Sequence, residues 1–468
     1  MQWAQAILSA FEFIKALGAP VMMPIMIFIV GLILGSKPGK AFRAAVTIGI
    51  AFVGINLVIG LMWENLSGAG KAIVERTGVT LDVMDVGWPS AAAIAFGGTV
   101  GTWIIPLAFA VNLILLFTGV TRTLNIDIWN FWHFAFTGGL VYAGTGNLWL
   151  SLAAAALNAA IALFLADWTA PAVEDFYELP GISIPHGFSA AYLPIAIPIN
   201  MLLDKIPGLR DWEADPETIR KRFGVFGEPI IVGIVIGAIL GILAGYDVKG
   251  ILVLAINLGA VMLLLPTMVK ILMEGLIPIS ESAREFMTKR FAGREFYIGL
   301  DSAILIGHPS AIAVGLLMVP TSIGIAIVLS FLGVNRILPF VDLAVFPFMI
   351  CMISLITRGN IIRSWIIGSI ATAIGLIMGS GVADLFTKAA VDAGFEMPEK
   401  ATLISSICDG TNPLTWVIYQ LSTRLSWIGL IIIAGVLGVI WVLYLRNKAG
   451  WEVVAGGPAK SEAGSKSA

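Results

Sequence analysis

Histidine is scarce in this chain of 468 residues, and all three copies, His133, His186 and His308, stand inside apolar segments. Asp301 and Asp409 share that setting. An ionisable side chain at mid-membrane costs about 2.5–3.5 kcal/mol on insertion scales, so each of these groups needs a reason to be there. His186 lies in Ile182-Ser183-Ile184-Pro185-His186-Gly187-Phe188-Ser189. Pro185 removes a backbone donor and Gly187 loosens the helix, so unwound backbone and an imidazole would face one cavity. Asp409, in Cys408-Asp409-Gly410-Thr411-Asn412-Pro413, marks a second broken helix. Imidazoles that donate or accept, carboxylate acceptors and hydroxyl side chains suit a neutral, hydroxyl-rich solute such as a sugar or polyol. Each hydrogen bond nets only about 0.5–1.5 kcal/mol, so several are needed to offset dehydration. No Lys or Arg stands in the expected midplane, which argues against a phosphate or carboxylate substrate there.

Further binding candidates have plainer alternatives. His133 falls some two turns into its span, in Asp127-Ile128-Trp129-Asn130-Phe131-Trp132-His133, and is expected to reach the pocket. Trp129 and Trp132 read as interfacial belt residues. Gly98 and Thr99, with Gly307-His308-Pro309, are expected at polar tips where apolar segments turn back. Asp301, like Asp85, also suits a helix N-cap, and Glu228 before Pro229 suits a cap as well as a site. No HExxH, GxSxG or Walker loop appears, and Cys351 and Cys408 form no CxxC, so no catalytic residue, metal site, cofactor or disulfide framework is expected.

The elements that must position these groups are membrane helices. With 58% hydrophobic residues, 12% charged and a mean hydropathy of +0.94, the chain has the composition of an integral membrane protein. The long apolar runs predict an all-α polytopic fold rather than a barrel. The net charge of -2 and the lack of a basic stripe give no footing for nucleic acid. No basic start or cleavage site marks a signal peptide in residues 1–17, so the first span is expected to direct insertion.

Eleven spans are expected, at 19–35, 44–63, 127–146, 148–166, 181–203, 227–245, 250–272, 337–357, 361–382, 400–421 and 427–445. Re-entrant hairpins are expected at 86–118 and 300–331. The spans form a duplication: Gly18-Ala19-Pro20 is echoed by Gly227-Glu228-Pro229, Gly119-Val120-Thr121-Arg122 by Gly333-Val334-Asn335-Arg336, Gly146-Asn147 by Gly359-Asn360, and Ile184-Pro185-His186-Gly187 by Ile407-Cys408-Asp409-Gly410. The pairs keep the same order. Copies at 18–203 and 227–421 with five crossings each would be inverted relative to one another. The last helix at 427–445 and a disordered tail at 456–468 follow. With the N-terminus outside and the C-terminus cytoplasmic, the inner side receives most of the basic residues. Among them are Lys37, Lys40, Lys205, Arg220, Lys221, Arg222, Arg336, Lys388 and Lys400. The acidic 167–180 loop falls outside, and residues 204–226 form the cytoplasmic linker.

Six ordered blocks between about residues 15 and 445 resemble the galactitol permease IIC components of the bacterial phosphotransferase system. They are Asp85-Val86-Gly87-Trp88-Pro89, Asp127 to His133, Gly181 to Gly187, Lys221 to Pro229, Gly241 to Gly250 and Glu295 to Asp301. The chain departs from the family's pattern at Ala91 to Phe96 and around Gly410-Thr411-Asn412. The resemblance extends to the ascorbate permeases. It implies a homodimer in the bacterial inner membrane, with scaffold segments at 19–63 and 227–272 and a mobile core at 86–203 and 300–421 moving as an elevator. It also implies a polyol substrate and separate IIA and IIB partners, the IIB phosphocysteine supplying the phosphoryl group. The charged 204–226 and 284–295 loops are the expected docking face. An ion-coupled secondary transporter of a polyol, with Asp409 or His186 as the ion site, is the alternative on the same repeat.

Overall fold

A computed structural model describes residues 19–79, 81–127, 129–208, 214–218, 228–290, 295–339, 341–398 and 401–458. Arg220, Lys221 and Arg222 of the linker, and the tail from 459, lie outside the described residues.

Four helices pack together: α1 (Ala19–Ile33), α2 (Pro38–Thr77), α8 (Pro229–Ala244) and α9 (Val248–Arg290). Gly233, Gly237 and Gly241 make one face of α8. A Cβ on Gly237 would stand 2.7 Å from the Ala255 Cα, so only small residues let α9 approach this closely. Asn257 donates to Asn65 at 2.9 Å between α9 and α2.

The remaining elements run in the order β1 (Val83–Asp85), α3 (Gly87–Gly97), α4 (Ile104–Phe117), β2 (Thr123–Asn125), α5 (Trp132–Thr145), α6 (Leu148–Phe176), β3 (Ile182–Ser183) and α7 (Leu193–Leu203). After α8 and α9 come β4 (Tyr297–Gly299), α10 (Pro309–Phe331), α11 (Phe346–Ile356), α12 (Ile361–Ser380), α13 (Ala383–Asp392), β5 (Leu403–Ser405), α14 (Pro413–Leu425), α15 (Trp427–Arg446) and α16 (Lys448–Val454).

Among the described residues, six helices are long and apolar enough to cross a membrane, or seven if the bent pair 87–97 and 101–117 counts as one. Four expected spans are instead short helices preceded by extended chain. These are α5, α7, α11 and α14, of 14, 11, 11 and 13 residues. Even the longest reaches only about 21 Å, short of the hydrocarbon thickness. Prolines near the starts of α7, α11 and α14 suit an N-terminus and delay the helix there.

Extended chain in an apolar medium must satisfy its own backbone. Two parallel sheets do this. In one, β4 lies between β2 and β3, with Leu124 and Ile182 both opposite Ile298. In the other, β1 pairs with β5, Met84 opposite Ile404, and Val83 also bridges Ile337. β1 corresponds to β4, β2 to the 337 segment, and β3 to β5 in the duplication. Each sheet therefore seats one strand of one copy between two segments of the other.

The hairpins differ from expectation. The inward turns fall just after β1 and β4, at Trp88 and at Asp301 to Ala303, which line a central cavity. Gly97, Gly98 and Thr99 close the other end of α3, where Thr99 donates to Asp392 from N at 2.9 Å and Oγ1 at 3.0 Å. His308 begins α10, a continuous helix of 23 residues rather than half of a hairpin. The 181–203 segment also departs from its expected crossing. Asp175 near the end of α6 and Asp204 after α7 line the same cavity, so the chain leaves and returns at one end of the molecule. In the second copy, Leu385 of α13 and Thr423 of α14 both face Gly144 in α5, giving the 393–425 segment the same form.

Candidate functional site

The central cavity has a volume of about 210 Å³. A water's share of the liquid is about 30 Å³, so this space equals about seven waters. Its walls come from the turns after β1 and β4, residues Trp129 to His133, the turn at His186 to Phe188, Val345 and Phe348, and Cys408. Phe52, Asn56 and Ile59 of α2 close the remaining side. The spacing of these three puts them on one helix face.

Short helices bring the polar groups here because they begin near it. His133 stands in the first turn of α5, and Asn412 caps α14 by accepting from the N–H groups of Leu414 at 3.1 Å and Thr415 at 3.2 Å. Asn412 Nδ2 also donates to Asp409 Oδ1 and to the Gly187 carbonyl, both at 2.9 Å. His133 Nδ1 meets Asp409 Oδ2 at 2.5 Å. An ionised carboxylate accepts, which puts a proton on Nδ1. His133 Nε2 is buried and has no partner among the described residues. The second imidazole is wired differently. His186 Nδ1 accepts from the Ser189 N–H at 3.2 Å, which assigns the neutral ring's proton to Nε2, 3.5 Å from Asp301 Oδ1. The two rings lie 4.5 Å apart between centroids.

Duplication explains why one carboxylate reaches the cavity and its counterpart does not. Asp85 accepts from the N–H groups of Gly87 at 3.1 Å and of Val341 and Asp342 at 3.0 Å. Asp342 in turn accepts from the Trp88 N–H at 2.8 Å, the Ser406 hydroxyl at 2.6 Å and the Cys408 N–H at 2.9 Å. These bonds knit the β1 turn to the second copy. In the other sheet Asp301 keeps the local bond, from the Ala303 N–H at 2.8 Å, and in place of backbone N–H groups from the opposite copy it faces the side chains of Asn130 and His186. Pro185, which has no N–H, stands where Cys408 donates, and Asp127 ahead of α5 is left with Oδ1 buried and unpartnered among the described residues. Asp301 thereby stands in the cavity wall beside His186.

Of the residues singled out in the sequence, His133, His186 and Asp301 line the cavity, and Asp409 stands directly behind His133. His308 does not reach it. Its Nδ1 accepts from the Ser310 N–H at 3.3 Å as a helix cap, and its ring packs 4.6 Å from that of Phe176. Gly98 and Thr99 are displaced because the inward turn falls a helix earlier in the chain. Glu228 is exposed at the start of α8 and makes no capping bond. Trp132 is no belt residue: it is 2% exposed and its ring lies 3.9 Å from that of His133. Sequence reasoning passed over Asn130, whose Nδ2 donates to Asp127 Oδ2 at 2.5 Å, and Asn412. Asn412 carried a signal, an Asn directly before a proline-led apolar helix. Ligand atoms of His133, Cys408 and Asp409 fall within 4.8 Å of one another. The bonds from His133 and Asn412 already engage both Asp409 oxygens, so the group reads as a hydrogen-bonded cluster rather than a metal centre.

A polytopic helical fold around a cavity walled largely by aromatic and apolar side chains, with His133, His186, Asp301 and two asparagines as polar groups and neither Lys nor Arg among the described lining residues, suits a carrier of neutral solutes. Residues 12–401 match the family model of the sugar-specific permease component of the phosphotransferase system, and the chain belongs to that family. It is 42% identical over 425 residues to the galactitol-specific EIIC component of Escherichia coli strain K12, covering 91% of this chain and 93% of that protein. The galactitol-specific EIIC component of Escherichia coli O157:H7 is similar to the same extent, 42% over 425 residues with 91% and 93% coverage. The chain is thus a multi-pass, sugar-specific permease component of a phosphotransferase system.

Proposed function

We propose that the chain moves galactitol, or a hexitol of closely similar stereochemistry, inward by an elevator motion, for phosphorylation by a separate IIB protein. The observation that carries this is the cavity wall itself. His133, His186, Asp301 and Asn130 stand on one side, and Phe52, Asn56 and Ile59 of a single helix on the other. Solute held between α2 and the short helices travels when the two groups slide past each other. That division supports α1, α2, α8 and α9 as scaffold and the rest as core. A homodimer through the scaffold fits the exposed apolar faces of α2 and α9, which include Leu57, Leu252 and Ile256.

The crossings we infer are α1, α2, α4, the β2–α5 segment and α6 in the first copy. In the second they are α8, α9, α10, the chain through α11, and α12, with α15 last. Five per copy again inverts the second. With the N-terminus outside, Lys205, Arg358, Arg363 and Lys448 then lie inside, while Arg336 and Lys388 pass to the outer side. The preference for basic residues within supports this sense.

The test uses proteoliposomes holding the purified chain, with IIA, IIB, phosphoenolpyruvate and the two general phosphoryl-carrier proteins that charge IIA added. Galactitol phosphate should form only with all components present, and wild-type protein should bind galactitol without IIB. Uptake that persists without IIB and collapses with an uncoupler would overturn this reading.

A further inference from the structure

We propose that the cavity at the ends of α7 and α11 is a binding site for a phosphate group, separate from the solute cavity. It has a volume of about 660 Å³ and is lined by Arg358, Arg363, Lys205, Asn200, Asp175 and Asp204, among others. Three cations face two carboxylates. Arg358 Nη2 donates to Asp175 at 2.7 Å, Arg363 pairs with Asp204, and Lys205 makes no ion pair among the described residues. Among the described lining residues, one positive charge is left over.

The donors are not used up. Arg363 Nη2 also donates to the Asn200 carbonyl at 3.0 Å, but Arg363 Nε is buried and has no partner among the described residues. Asn200 Oδ1 is in the same state. Both atoms are sealed from the cavity in this arrangement, and a ligand or ordered water completes their bonding when the two side chains turn towards it. Arg358 is held with φ at +54°, a conformation rarely adopted by a long side chain, and its guanidinium lies 5.3 Å over the Phe176 ring.

Neither arginine is required by the turn that carries it. In the first copy, Gly146 takes the left-handed conformation, and Asn147 caps α6 by accepting from the Leu150 N–H at 3.1 Å. In the second, Gly359 is left-handed, and Asn360 caps α12 by accepting from the Arg363 N–H at 3.0 Å. The left-handed glycine and the Asn cap are shared, while Arg358 adds a second left-handed residue where Thr145 is helical. Thr145 and Leu150 stand where the second copy has Arg358 and Arg363. The two guanidinium groups are therefore an addition at one end of the molecule only.

A tetrahedral oxyanion suits this set. Planar guanidinium forks bind phosphate through paired N–H groups, Lys205 adds a point charge, and the start of α12 favours an anion. A carboxylate ligand would meet Asp204 on equal terms, whereas a phosphate brings more acceptor oxygens to the same donors. The group can belong to an anionic phospholipid, whose headgroup phosphate offers these acceptor oxygens. It can equally belong to a water-borne phosphate ester.

The experiment titrates the full-length protein in neutral detergent and reads its thermal unfolding. One arm adds phosphatidylglycerol in mixed micelles, with phosphatidylcholine as the control; the other adds inorganic phosphate or galactitol phosphate. One arm should give saturable stabilisation, and which one names the source. Arg358→Gln should weaken that response at least tenfold. Asp204→Asn should strengthen it several-fold, because it removes the carboxylate that competes for Arg363. Galactitol affinity should stay unchanged in both variants, which separates this site from the solute cavity. No stabilisation of wild type or Asp204→Asn in either arm, or equal responses in Arg358→Gln and Asp204→Asn, would overturn the proposal.

Discussion

His133 of α5 and Asp409 before α14 come from opposite copies of the duplication, 276 positions apart, and meet at 2.5 Å against the wall of the solute cavity. With Asp409 as the acceptor at Nδ1, Nε2 is the bare imidazole nitrogen. Asp409→Asn keeps the shape but allows the amide to donate, moving the proton of His133 to Nε2. We expect galactitol affinity to fall at least tenfold, about 1.4 kcal/mol, with little change in melting temperature. Calorimetric titration beside thermal unfolding separates the two.

His186 and Asp301 face the cavity together, 3.5 Å apart. His186→Ala and Asp301→Asn should each weaken galactitol binding tenfold or more while the protein still purifies as a homogeneous species. Wild-type affinity in both would remove this pocket from the mechanism.

Asp342 should behave as a structural residue. Asp342→Ala leaves the Trp88 N–H and the Ser406 hydroxyl without this acceptor, while the Cys408 N–H keeps Ser406 Oγ at 3.1 Å. Each unmet buried group costs about 1–3 kcal/mol, so a large fall in melting temperature and poor membrane yield are expected. A variant as stable as wild type would show that the strut carries no strain of assembly.

His308→Ala is the contrasting control. Loss of a helix cap costs about 0.5–2 kcal/mol, and galactitol affinity should be unchanged because the ring packs on Phe176 and Tyr177 rather than on solute. A tenfold loss of affinity in titration would contradict that placement.

The duplication was legible in the sequence because its marks are glycines, prolines and caps whose backbone roles survive divergence, as at Gly146 and Gly359. His133, His186 and Asp301 stood out because a polar group amid apolar residues is conspicuous in any span. Hydropathy does not distinguish an apolar segment that crosses from one that enters and returns, which is why 181–203 read as a span. The tips were misjudged at Gly97 and His308 for a related reason. Gly and Pro mark the end of a helix equally well at the membrane boundary and at its centre. Trp132 reads as an interfacial residue and Asn130 passes unnoticed in the sequence because their burial depends on neighbours contributed by distant parts of the chain.

The exchange of strands between copies bears on how the chain is made. β1 closes its ladder only on β5 and Ile337, both delivered hundreds of residues later, while β2 and β3 wait for β4. A nascent chain halted after residue 203 would leave both sheets as bare edges in lipid, so neither half is an independent folding unit. Biogenesis must hold the early helices apart until the late ones arrive.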